Sequence, residues 1–96
     1  MLKMKSKKIV QSSRVIWVNE LGELHRVGSP AVLYSNGYKE WWQNGQPHRL
    51  DGPSCLSPSG NTYWHIRGVE YDTEQEWFEA LSKEDQIFYL FKMEKQ

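Results

Sequence analysis

A period of 23 residues runs through the chain, and it restricts the fold more than any single residue does. Gly22, Gly45 and Gly68 lie 23 apart, as do Val18, Trp41 and Trp64. The pairs His25/His48, Arg26/Arg49, Pro30/Pro53, Leu33/Leu56 and Gly37/Gly60 keep the same spacing. A short unit of this kind cannot bury its own apolar face, so successive units have to stack.

Within each period the residues alternate like strands. Residues 31–35 and 38–43 flank Asn36-Gly37, the strongest two-residue hairpin signal. One period later, residues 54–57 and 62–67 flank Pro58-Ser59-Gly60-Asn61. One period earlier, residues 8–10 and 15–19 flank Ser12-Ser13-Arg14, which lacks the glycine and reads as a degenerate terminal copy. Six strands in three hairpins are expected. The returns between them carry Gly45 for a positive φ, and Asp51-Gly52-Pro53 for a tight loop held by Arg49.

After Tyr71 the period changes to that of helices. Thr73 with Glu76 makes a capping box for a helix presenting Trp77, Ala80 and Leu81. Ser82 with Asp85 opens a second, whose Ile87, Leu90 and Phe91 form an apolar stripe. The expectation is an α+β fold: tandem antiparallel β-hairpin repeats in a single curved sheet, capped by two short C-terminal helices. The repeats occupy about residues 8–71 and the cap 72–93, within one domain at 8–96 preceded by a flexible basic start at 1–7.

Charge is zero overall but uneven. Residues 1–14 carry five bases and no acid, whereas residues 70–96 carry eight acids against Lys83, Lys92 and Lys95. This favours attraction within the molecule over a basic arm for nucleic acid, since the body has no basic surface in its sequence. No apolar run is long enough to span a bilayer and no signal-peptide core is present, which points to the cytoplasm. The single cysteine, Cys55, aligns with Val32 and Ile9 and reads as a buried small hydrophobe.

Alternation along the strands separates two faces. Ile16, Val18, Trp41, Trp64 and Ile66 form the expected core column, covered by Trp77, Leu81, Ile87 and Phe91. The other face carries Trp17, Tyr38, Trp42, Tyr63, His65 and Arg67, aromatics mixed with hydrogen-bonding and cationic groups as at recognition surfaces. With Arg49 from the loop, these seven residues are the expected binding set.

The wording Trp-x-x-Asn-Gly-x-x-His-Arg-x-Asp-Gly-Pro, carried by Trp41, Asn44, Gly45, His48, Arg49, Asp51, Gly52 and Pro53, resembles a variant of MORN repeats, which are β-hairpins laid side by side. Such arrays with acidic helical tails are found in bacteriophage and bacterial proteins. The resemblance spans roughly residues 15–93; the first copy replaces Asp-Gly with Gly28-Ser29, and the third loses its return loop. It implies an interaction module, such as a small phage-encoded protein that binds and inhibits a host defence factor in the bacterial cytoplasm.

Catalysis has few candidates: His25, His48, His65, Asp51 and Arg49. Equivalent positions in successive hairpins lie two strands apart, roughly 9–10 Å, whereas zinc holds its ligand nitrogens at about 2.0–2.1 Å. No phosphate loop, nucleophile elbow or His-Glu-x-x-His pattern occurs. The chain therefore reads as a non-enzymatic protein-binding module without cofactor or metal, a homo-oligomer being compatible with its helices. The alternatives are a small-ligand binder that sequesters a nucleotide-like signal through aromatic and Arg residues, and a peripheral membrane or scaffold module.

Overall fold

Tight turns at glycine lay out the sheet. Gly37 and Gly60 sit at φ +97° and +95°, and they donate their N–H groups to Tyr34 O and Ser57 O at 2.9 and 3.0 Å. A side chain at such φ would be strained, so the hairpin tips need these residues. The structure is a computed structural model that describes residues 6–94.

The elements are β1 (Lys7–Val10), β2 (Arg14–Val18), β3 (Val32–Tyr34), β4 (Lys39–Glu40), β5 (Trp42–Gln43), β6 (Gln46–Pro47), β7 (Cys55–Leu56), β8 (Thr62–Ile66), β9 (Val69–Tyr71), α1 (Glu74–Ala80) and α2 (Lys83–Glu94). Seven strands form one antiparallel sheet in the order β1-β2-β3-β4-β7-β8-β9, and β5 and β6 form a separate ribbon. The α+β class and the two C-terminal helices agree with the sequence. Thr73 caps α1 by accepting the Glu76 N–H, and Ser82 receives the Asp85 N–H at 3.1 Å. No helix among the described residues is long and apolar enough to cross a membrane.

The single sheet does not hold, because the returns themselves pair. Asn44 and Gly45 both have positive φ, +52° and +77°, and so do Arg67 and Gly68, +47° and +83°. Two successive left-handed residues match the twist of a two-residue hairpin. The first pair closes the β5–β6 ribbon and the second joins β8 to β9. The strand expected at 38–43 accordingly splits at Trp41, whose N–H reaches Ser54 O while its O accepts from His48. The strand expected at 62–67 ends at Ile66.

Of the start expected to be flexible, residues 1–5 lie outside the described residues, as do 95 and 96. Ser6 and Lys7 are tied down: Lys7 opens β1, and Ser6 Oγ donates to His25 O at 2.7 Å.

The faces also differ from expectation. Ile9, Ile16, Val32, Glu40, Cys55 and Tyr63 are cross-strand partners in one row over six strands, so they share a face. On it Ile16, Val18 and Val32 form a core with half-buried Ile9, Leu24, Tyr34 and Trp42. Trp64 and Ile66 alternate to the opposite face, where they pack with Trp77, Leu81, Tyr89, Tyr71, Phe78 and Leu50. The expected column is thus two cores on two faces. The cause is one additional residue after Trp17. His25 N donates to Trp17 O as His48 N donates to Trp41 O, making Trp17, and not Val18, the equivalent of Trp41. A one-residue slip moves a strand's side chains to the other face.

Trp77 is fully buried and donates its indole N–H to Arg49 O at 3.1 Å. Its ring lies 4.7 Å from that of Trp64. The stripe expected to dock α2 faces away: Ile87, Leu90 and Phe91 are exposed. The opposite side of α2 makes the ties, because Tyr89 donates its hydroxyl to Glu74 and Lys92 reaches Asp51.

Candidate functional site

Three chemistries are concentrated in this fold: histidines that hold backbone, an arginine–tryptophan–aspartate latch, and an aromatic sheet face. Their geometry decides which are free to recognise another molecule.

His25 and His48 play the same part 23 residues apart. Nδ1 of His25 accepts the Asn44 N–H at 3.0 Å, and Nδ1 of His48 accepts the Arg67 N–H at 2.8 Å. Each therefore secures the first residue of a left-handed turn, where the backbone N–H would otherwise lack a partner. An Nδ1 acceptor places the ring proton of the neutral imidazole on Nε2. Burial and the positive charge of Arg67 lower the His48 pKa, partly offset by Asp85. His65 Nδ1 is 2.6 Å from Ser54 Oγ, and its Nε2 lies 3.9 Å from Glu70. Among the described residues no three His, Cys, Asp or Glu side chains are grouped to hold a metal.

The latch starts at Arg49. Its guanidinium lies 3.8 Å from the Trp41 ring centroid, donates to Asp51 at 2.8 Å and reaches Pro53 O at 3.0 Å. Arg26 repeats two of these contacts, stacking on Trp17 at 3.8 Å and donating to Pro30 O at 3.2 Å. Such stacking suits the planar guanidinium. Asp51 also takes Lys92 Nζ at 2.9 Å, which joins the loop to α2. Burial pushes the Asp51 pKa up, but the hydrogen bonds from Lys92 and Arg49 outweigh it and the net shift is downward. Shallow grooves of 280 and 310 Å³ flank this latch, the first lined by Trp41, His48, Asp85 and Phe88 among others, the second by Trp64, Tyr89 and Met93.

The third feature is the sheet face turned away from the helices. Register places Tyr63 beside Cys55 and Glu40, with His65 two residues further along β8. Tyr34 and Tyr38 have ring centroids 5.4 Å apart, and Trp42 donates its indole N–H to Glu40 at 3.0 Å. Burial, with Cys55 and Glu40 beside it, raises the Tyr38 pKa and keeps its hydroxyl protonated. The Cys55 thiol is buried, and burial pushes its pKa up, as suits a packing residue. Tyr63 is 45% exposed and is the most open aromatic of this face.

Of the expected binding set, Tyr38, Trp42, Tyr63 and His65 share this face. Trp17 lies on the opposite face beneath Arg26, a consequence of the same register shift. Arg49 belongs to the latch. Arg67 is exposed in the β8–β9 turn. Tyr34 was missed, although its alternation with Val32 and its pairing with Arg14 place it beside Tyr38. A smaller polar pocket of 200 Å³ lies between Gln43, Asn44, Gln46, His48 and Arg67.

Comparison of the chain with protein-family models, with curated proteins and with solved structures gave no match.

Proposed function

We propose that the chain is a non-enzymatic protein-binding module of MORN-like hairpins, with the aromatic sheet face as its binding surface. One observation carries this reading: on the sheet face that the helices leave uncovered, exposed Tyr63 lies with half-buried Tyr38 and His65, and Tyr34 and Trp42 edge the small core of that face. Rigid aromatic side chains with polar tips supply much of the energy of protein interfaces. The repeated hydrogen bonds of His25 and His48, and of Arg26 and Arg49, support the repeat reading. With it comes the partner class that the resemblance implies, a bacterial host factor bound and inhibited by a small phage protein.

The commitment of His25 and His48 to backbone supports a non-catalytic role. The grooves, at 200–310 Å³, reach only the lower bound of the roughly 300–1,000 Å³ typical of ligand sites. A sequestered nucleotide-like signal is therefore the weaker reading.

Pull-down from bacterial lysate followed by titration of the recovered partner tests the proposal. Tyr63→Asp should abolish binding with the far-ultraviolet spectrum unchanged. Undiminished binding by that variant removes the sheet face as the site. Turnover of a nucleotide, lost in His48→Ala, removes the non-enzymatic reading.

A further inference from the structure

The outward side of α2 lies away from both cores of the described residues. Ile87, Phe88 and Leu90 are 62%, 58% and 54% exposed, and Phe91 beside them is 57% exposed. At about 100° per residue, Tyr89 and Lys92 point into the molecule and Lys83, Ile87, Leu90 and Glu94 line up on the far side. Their spacing of four, three and four residues is that of a helix-pairing seam.

We propose that α2 pairs antiparallel with α2 of a second copy, about a two-fold axis passing between Phe88 and Tyr89. The seam is symmetric about that point. Ile87 of one copy then meets Leu90 of the other, and Lys83 meets Glu94 at both ends. Parallel pairing would set Lys83 against Lys83 and Glu94 against Glu94, so charge selects the antiparallel arrangement.

Area fits as well. A stable two-fold interface buries roughly 800 Å² a side, about 65% of it apolar in homodimers. Ile87, Leu90 and the adjoining Phe91 expose on the order of 350 Å², the larger part of that apolar share. A lipid surface fits less well, because interfacial helices present a basic polar face and α2 carries Glu84, Asp85 and Glu94 against Lys83 and Lys92. The pairing is independent of the sheet-face reading, and it would give the dimer two copies of that surface.

Sedimentation equilibrium and light scattering on the full chain test the pairing. The expected mass is twice the 11.4 kDa of one chain, with Ile87→Glu/Leu90→Glu reduced to a monomer that keeps its native far-ultraviolet spectrum. Lys83→Glu alone and Glu94→Lys alone should each weaken the dimer about tenfold or more. The double swap Lys83→Glu/Glu94→Lys should restore it, which a merely sticky helix would not do. A monomeric wild-type chain at high micromolar concentration overturns the proposal. So does a dimer indifferent to Ile87→Glu/Leu90→Glu, a dimer whose charge swaps do not compensate, or α2-dependent binding to phosphatidylglycerol vesicles by a chain that stays monomeric.

Discussion

The imidazole of His48, just after β6, accepts the main-chain N–H of Arg67 in the β8–β9 turn at 2.8 Å. The bond pins the left-handed turn that sends the chain from β8 into β9, the strand that precedes the helices. It exists only while Nδ1 is unprotonated.

His48→Ala should therefore lower stability by about 1–3 kcal/mol, the cost of stranding a buried donor. It should also change the dependence on pH. Burial and Arg67 hold the folded pKa below the ordinary 6.5, so the unfolded chain binds the proton more readily. Stability is fully present above pH 6.5 and declines as pH falls through that value toward the folded pKa. Urea midpoints taken from about pH 8 to about pH 5 should show this decline in the wild type and a flatter profile in His48→Ala.

Trp77→Ala should cost about 3–5 kcal/mol, since the side chain is fully buried among Trp64, Tyr89, Leu81 and Ile66. Tyr63→Ala, on the open face, should stay within about 0.5 kcal/mol. Denaturant midpoints for the two variants compare the faces directly. Equal losses would mean that Tyr63 is sealed as Trp77 is and that its surroundings are no binding surface.

Asp51 ties Arg49 and Lys92 to one carboxylate at 2.8 and 2.9 Å. Asp51→Ala should lower stability by about 1–2 kcal/mol. A double-mutant cycle with Lys92→Met should return a coupling of about 0.2–1 kcal/mol, small because both side chains are partly solvated. With the folded pKa depressed, this contribution is present above pH 3.8 and is lost as pH falls below it.

Arg67 occupies the left-handed region at φ +47° without being glycine. Its counterpart Asn44, at +52°, is a residue that tolerates this conformation. Arg67→Asn should raise stability by about 0.5–1 kcal/mol by relieving that strain. Thermal unfolding checks it, with Asn44→Arg expected to move the midpoint the other way.

Local chemistry was readable from the sequence alone. Positive-φ glycines at Gly37, Gly45, Gly60 and Gly68 announce turns because other residues are strained there, and the caps at Thr73 and Ser82 announce helices because they satisfy first-turn N–H groups. The α+β class follows from those signals. The burial of Cys55 followed from its alignment with Val32 and Ile9.

Tertiary structure decided what local signals leave open. Side chains in a strand alternate, so the one additional residue after Trp17 reversed the faces of Ile16, Trp17 and Val18 while leaving the glycine period intact. The apolar stripe of α2 was visible as a period, but a period does not say which side docks. Tyr89 bonding to Glu74 and Lys92 bonding to Asp51 turned that stripe outward. Both outcomes rest on contacts between residues distant in sequence, and a 23-residue spacing carries no record of them.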